Sequence, residues 1–395
     1  MSYIKRHSLI VLFIIACICN IFFPEQLQVY IISIIFLFCI MFFGSTVRTR
    51  VKESTFIISG VWFIVLLQTI CMSNSATLFK IIELFYALFM ILFFRAQKDN
   101  GIKQLLGLVR IVNILVLTFG TYELISRNNP LIELFKRDYI SDLFGLMQYR
   151  VCNVFTHPIV YSHVLLICFV ITYFYEDRRA FKVICLTAIS IQIMFTQTRS
   201  AWFAFVIIII CIVIVESKGK ITKKMLINSA IAIIAIVTVI VIINNKFHLL
   251  QMIVDRFLYL QTDNVSYIQR IGSIQYICEK YLNSGIVSIL FGSGSRASAE
   301  IMEQTMISIK GFKTTDNQYL SLLINYGIIG IVIVIYMVNK IIAYWKSNTG
   351  ISICLIGTII MLFFYEGLYW PLILCMIVYL LCTPFSKEES RGDDS

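Results

Sequence analysis

Residues 199–243 read RSAWFAFVIIIICIVIVESKGKITKKMLINSAIAIIAIVTVIVII. Two long apolar runs flank a short segment holding Lys218, Lys220, Lys223 and Lys224, and Arg199 opens the first run. A helix needs about 20 apolar residues to cross the hydrocarbon core. Inside lipid the backbone must close its hydrogen bonds within the segment, so such runs become helices. The stretch predicts two transmembrane helices joined by a basic loop. Basic short loops stay cytoplasmic, which puts Arg199 at the opposite, outer mouth.

The pattern extends in both directions. Apolar residues make up 59% of the 395, only 14% are charged, and the mean hydropathy is +0.86. That composition excludes an ordinary soluble domain. About twelve candidate spans of transmembrane length centre near Ile15, Ile35, Ile64, Leu84, Leu115, Ile167, Ile189, Ile208, Ile234, Ile331, Ile359 and Ile377. Arg48, Arg50 and Lys52, then Arg95, Lys98 and Lys103, then Arg178, Arg179 and Lys182, and finally Lys340 and Lys346 fall on the same side as the Lys218–Lys224 loop. Lys387 and Arg391 keep the tail there too. The expected fold is an all-α polytopic membrane protein of about 12 transmembrane helices, with both termini cytoplasmic and two long outer loops carrying surface helices.

Five spans occupy 1–125, a first outer loop 126–157, four spans 158–243, a large outer loop 244–316, three spans 317–384 and a cytoplasmic tail 385–395. Lys5 and Arg6 precede the first apolar run as in a signal peptide, but no small-residue cleavage site follows, so the run reads as a retained helix. The net charge of +11 lies mostly at cytoplasmic helix ends and reports topology rather than a nucleic-acid partner. Most of the twelve cysteines, such as Cys17, Cys168 and Cys354, fall inside spans; only Cys152 and Cys278 are placed to face outward, which allows one bridge. No CxxC or His-Cys cluster suggests a metal, and no cofactor motif is present.

The outer loops hold the candidate chemistry. In the first, Leu131, Ile132, Leu134 and Phe135 precede Lys136-Arg137-Asp138, as in an interfacial helix. It ends by delivering Arg150 and His157 ahead of Pro158; His157 is either a plain loop residue or a proton-transfer group. In the second, Ser266 and Gln269 have capping-box spacing and predict a helix over Ser266 to Leu282 with Arg270, Ile274, Ile277 and Tyr281 on one face. An arginine on an apolar face must snorkel, pair, or enter a polar cavity. The turn Gly292-Ser293-Gly294-Ser295-Arg296 is either a cradle for phosphate or sugar or a plain tight turn, without the flanks of a nucleotide motif. Thr315 and Gln318 again have capping-box spacing, so Asp316 and Asn317 either cap the next span or present a carboxylate and an amide to a sugar hydroxyl. Gly327 and Gly330 permit close helix packing. At the outer mouth, Arg199 with Ser200 and Trp202 reads as an anion site or as an interfacial arginine beside a belt tryptophan.

In this order the pieces resemble the bacterial O-antigen polymerase and O-antigen ligase superfamily, which includes capsule and exopolysaccharide polymerases. The matching elements are Arg150 before His157-Pro158, the Arg199-Ser200-x-Trp202 mouth, Ser266 with Arg270, the Gly292-x-Gly294 turn, and Asn317-x-Tyr319-Leu320 leading to Gly327 and Gly330. Where ligases of that superfamily are expected to carry His before the Asn, this chain has Asp316, which fits a polymerase better. The resemblance implies an undecaprenyl-diphosphate-linked oligosaccharide substrate and metal-independent glycosyl transfer on the outer side of the bacterial plasma (inner) membrane. It also implies company: membrane lipid, a flippase and a chain-length regulator. On this reading Arg199 and Arg270 hold the diphosphate, Arg150 or Arg296 assists, and Asp316 acts on or positions the acceptor hydroxyl. His157, Ser200, Gly292, Gly294 and Asn317 complete the expected site. A ligase delivering glycan to a final acceptor shares the donor site. A lipid-linked oligosaccharide flippase is the alternative from another class, with Glu83, Glu123 and Glu366 as its candidate in-span charges.

Overall fold

The computed structural model describes residues 8–23, 27–35, 53–72, 78–96, 101–134, 149–217, 265–304 and 314–382. The span centre Ile234, the Lys218–Lys224 loop, the Lys136–Asp138 segment and the tail lie outside the described residues. Among those described, helices and their connections account for everything and no strand occurs.

In chain order the helices are α1 (Ser8–Phe22), α2 (27–35), α3 (Glu53–Met72), α4 (Leu78–Ala96), α5 (Gly101–Ser126) and the short α6 (Pro130–Leu134). Then come α7 (Pro158–Tyr175), α8 (Arg179–Phe195), α9 (Arg199–Glu216), α10 (Val265–Leu282), α11 (Ile286–Phe291) and α12 (Ala297–Glu303). The last are α13 (Gln318–Ser347), α14 (Thr349–Leu362) and α15 (Pro371–Cys382). Every expected span centre among the described residues falls in a helix. Among the described residues, four helices, α5, α7, α9 and α13, are long and apolar enough to cross a membrane, and shorter apolar helices lie at Leu9–Phe22, Trp62–Cys71, Thr349–Leu362 and Pro371–Cys382. The chain is a membrane protein.

Helix α7 forms the centre. Val164, Leu165, Cys168, Val170 and Ile171 are fully buried around its circumference, as expected of a helix apolar on all sides and enclosed by others. It packs against α5, α8, α9 and α14. Helix α9 is peripheral: Ala201, Ala204, Ile208 and Ile212 face inward, while Phe203, Val206, Ile210 and Val213 are exposed where acyl chains would lie. Small residues let such helices approach. A Cβ at Gly357 of α14 would sit 2.8 Å from Ile208 Cδ1.

Two helix interruptions position the segments that carry the candidate residues. Helix α5 widens into a π turn over Val116–Gly120, which leaves carbonyls without their usual partners. Gln192 Nε2 donates to Val116 O at 2.7 Å and Asn153 Nδ2 to Leu115 O at 3.2 Å. Helix α13 breaks at Gly327, whose φ of 60° and ψ of −145° are not helical. The carbonyls of Ile324 and Asn325 are thereby released, and the N–H groups of Ser293 (2.8 Å) and Gly294 (3.0 Å) take them. The 293–294 turn is thus fastened to the broken helix through main-chain bonds.

Candidate functional site

Helix α10 begins one residue before the expected capping box and ends at Leu282, as expected. Its inward face differs in one position: Ile277 is fully buried against Ala297, Met302 and Ile324, but Ile274 is 36% exposed, and Ser273 takes its place. The helix leans towards the 314–318 strip, so Ser273 Oγ reaches Thr315 O at 3.1 Å. One turn earlier, Arg270 Nε donates to Asp316 Oδ2 at 3.2 Å, and Thr314 Oγ1 donates to Oδ1 at 3.3 Å. Asp316 is left-handed, with φ 52°, a conformation Asp tolerates better than most residues. Burial raises the Asp316 pKa and the Arg270 guanidinium opposes that rise. The terminal nitrogens of Arg270 make no hydrogen bond among the described residues, and its side chain is 34% exposed. A guanidinium fixed at Nε with both ends open suits an anion.

The cap of α13 is Asn317, not Thr315. Asn317 Oδ1 accepts from Tyr319 N at 3.0 Å and Leu320 N at 3.2 Å, so this amide secures the helix entry. Thr315 turns the other way. Its N–H (2.8 Å) and Oγ1 (2.6 Å) donate to Glu366 Oε1, which also accepts from Ser321 Oγ at 2.5 Å. Glu366 is buried, and burial raises its pKa while the hydrogen bonds from Ser321 and Thr315 lower it. It opens a loop that meets several neighbours. Leu368 N donates to Gln318 Oε1 at 2.8 Å, Asn325 Nδ2 bonds Tyr369 Oη, and Trp370 packs on His157 with ring centroids 5.1 Å apart.

His157 caps α7, accepting from Ile159 N at Nδ1 over 3.2 Å. Burial and nearby Arg150 lower its pKa to about 3, which leaves a neutral ring whose proton is on Nε2. Arg150 donates from Nε to Thr196 O at 2.9 Å and from Nη2 to Thr198 Oγ1 at 3.2 Å. It fastens the turn from which α9 starts, with Arg199 as first helical residue and Ser200 buried beside it. The segment carrying Arg150 is anchored by Glu123, which accepts from Tyr149 Oη (2.6 Å), Cys152 N (3.0 Å) and Asn153 N (2.6 Å). Cys152 and Cys278 are free thiols, so the bridge that the sequence allowed is not formed.

The glycine turn serves packing. Gly292 has φ 80°, and a Cβ there would lie 2.4 Å from the Asn325 carbonyl. The Ser293 and Gly294 N–H groups are spent on α13, and Ser295 N donates to Thr69 Oγ1 at 3.3 Å. Arg296 pairs with Glu83 of α4 at 2.7 Å and lies over the rings of Phe79 (4.6 Å) and Tyr369 (5.0 Å). Lys80 of the same helix pairs with Glu300.

Three groups of expected residues emerge: Arg270 with Asp316 and Asn317; Arg150 with the Arg199–Ser200 turn and His157; and Gly292, Gly294 and Arg296. The 366–370 loop bonds Thr315 and Gln318 on either side of the first group, packs on His157 of the second and lies under Arg296 of the third, and it was not among the expected site residues. Its sequence signal is modest: an acid followed by Tyr369 and Trp370 between two apolar runs. Glu83, Glu123 and Glu366, the candidate in-span charges of a transporter, accept hydrogen bonds from Arg296, Asn153 and Thr315 respectively, each in or next to a connecting segment.

Residues 181–335 match the family model described as O-antigen ligase. The match is consistent with the O-antigen ligase and polymerase superfamily, a glycosyltransferase-like enzyme class acting on membrane glycans. It spans Arg199, Arg270, Asp316 and the Gly327 break. No curated protein matches the chain.

Proposed function

We propose that this protein is a polysaccharide polymerase, of the O-antigen or capsule type, joining undecaprenyl-diphosphate-linked oligosaccharide repeat units on the outer side of the bacterial plasma membrane. A sugar hydroxyl of one unit attacks the anomeric carbon of the chain on its carrier. The lipid diphosphate leaves with growing negative charge, which arginines stabilise electrostatically. Arg270 carries most of this, with Arg199 as its partner, and Arg150 supports the turn that presents Arg199. The observation that carries the reading is the Arg270–Asp316 pair, which immobilises the guanidinium at Nε and leaves its terminal nitrogens for phosphate oxygens. Asp316 on this account orients the arginine beside the acceptor.

Removing one preorganised donor of this kind costs roughly a hundredfold to a thousandfold in rate. The test is a gel of surface polysaccharide from a strain lacking the protein, complemented with wild type or Arg270→Ala. Single repeat units on the final acceptor without a long-chain ladder support the polymerase. The family description favours one second reading, a ligase; ladder-length glycan accumulating on the carrier would establish it. Repeat units held on the cytoplasmic side would point to a flippase.

A further inference from the structure

Attack by a sugar hydroxyl needs a proton acceptor, and neither obvious candidate is free. Asp316 has Thr314 on one oxygen and Arg270 on the other. His157 uses Nδ1 as a helix cap and is held neutral with a depressed pKa, which makes it a weak base.

The buried and half-buried carboxylates differ in how their oxygens are used. Glu83 gives both to Arg296, with Ser295 also on Oε2. Glu176 gives both to Arg110 and Arg178. Glu123 takes Tyr149 and Cys152 on Oε1 and Asn153 on Oε2. Glu366 is the exception: Thr315 N–H, Thr315 Oγ1 and Ser321 Oγ converge on Oε1, and Oε2 receives no hydrogen bond among the described residues. Unlike Gln68 Oε1, Asn113 Oδ1 and Ser298 Oγ, which are sealed without a partner, Glu366 Oε2 keeps access to solvent, so it is the one oxygen of this carboxylate open to a water or a substrate hydroxyl. Three donors on Oε1 fix the carboxylate plane. Thr315, which supplies two of them, is bonded in sequence to Asp316, so Glu366 and Arg270 are held through adjacent residues.

We propose that Glu366 Oε2 accepts the proton of the attacking sugar hydroxyl. The inference rests on the glycosyl-transfer reading and holds for a polymerase or a ligase. As the acceptor oxygen bonds to the anomeric carbon, the bond from that carbon to the diphosphate oxygen breaks and its electron pair leaves with the diphosphate. The hydroxyl proton passes to Oε2 and from there to water. Asp316 stays paired and keeps Arg270 in place.

The experiment uses full-length protein in lipid nanodiscs with an undecaprenyl-diphosphate-linked repeat unit. E366Q retains an acceptor for the Thr315 and Ser321 donors but is no base. Its kcat is expected to fall by about a hundredfold to ten-thousandfold with the donor KM unchanged. E366A is expected to lose the same rate and to regain part of it in added formate, an external base that a purely structural role would not answer to. Near-wild-type kcat in E366Q, or no response of E366A to formate, overturns the assignment. Wild-type protein that transfers nothing would remove the functional reading itself, which separates the two failures.

Discussion

At the scale of single residues, the site depends on how a few polar groups are committed. On the proposed reading Arg270 can serve an anion because Asp316 occupies only Nε. Lysine has no fork to divide between a carboxylate and a phosphate. Arg270→Lys is therefore expected to lose most activity, close to the Arg270→Ala level, in a transfer assay, although it keeps the charge. His157 permits a pH test. Its pKa is depressed to about 3 from an ordinary value of 6.5, so the unfolded chain binds the proton more readily than the native one. Stability should fall as pH drops from about 6.5 towards 3. His157→Asn keeps a good cap without the titration, and its melting temperature in nanodiscs should change less between pH 7 and pH 5 than that of wild type. An equal change would show that His157 is not the group responsible. Arg270, Asp316 and Asn317 stand out as candidates in the sequence because each breaks a local expectation: an arginine on an apolar helix face, and an acid and an amide at a span entry. Glu366 stands out only as a possible in-span charge, because a lone acid between two apolar runs has the same signature whether it caps, pairs or reacts.

At the scale of elements, the 292–294 turn is seated by the break in α13. Gly327 frees two carbonyls and the 293–294 turn takes them. Gly292→Ala would force a left-handed conformation and drive a Cβ into the Asn325 backbone. A sparsely populated backbone conformation costs about 1–3 kcal/mol before the clash is counted. Loss of folded protein in size-exclusion profiles is the expected readout, and a normal profile would refute the packing role. The Gly-x-Gly pattern was visible in sequence, but which partner took its N–H groups depended on a kink 33 residues downstream that propensity does not announce. Arg296 allows a cleaner separation. Truncating one partner of a buried ion pair typically costs about 3–5 kcal/mol, whereas replacing both by apolar residues is often near neutral. Arg296→Met should destabilise strongly, and the Glu83→Met/Arg296→Met double variant should recover both thermal stability and activity. A stable but inactive double variant would return Arg296 to the anion site.

For the whole molecule, hydropathy located the helices well because lipid permits few other structures. The periodicity of apolar runs says where a helix is, not which of its faces meets protein, so the central place of α7 and the peripheral place of α9 emerge only from packing. Sidedness follows from Lys and Arg bias: a cysteine-depleted protein carrying Asn128→Cys should react with an impermeant thiol reagent from outside, and one carrying Lys220→Cys only after permeabilisation. The reverse pattern would invert the topology and put the site on the cytoplasmic face. The most direct test of the central claim is elongation by purified protein in nanodiscs supplied with the undecaprenyl-diphosphate-linked repeat unit. The account predicts that wild type builds carrier-linked chains of increasing length and that Arg270→Ala, equally well inserted, does so roughly a hundredfold to a thousandfold more slowly. Repeat units left unjoined by wild type, or joined by Arg270→Ala at the wild-type rate, would contradict it.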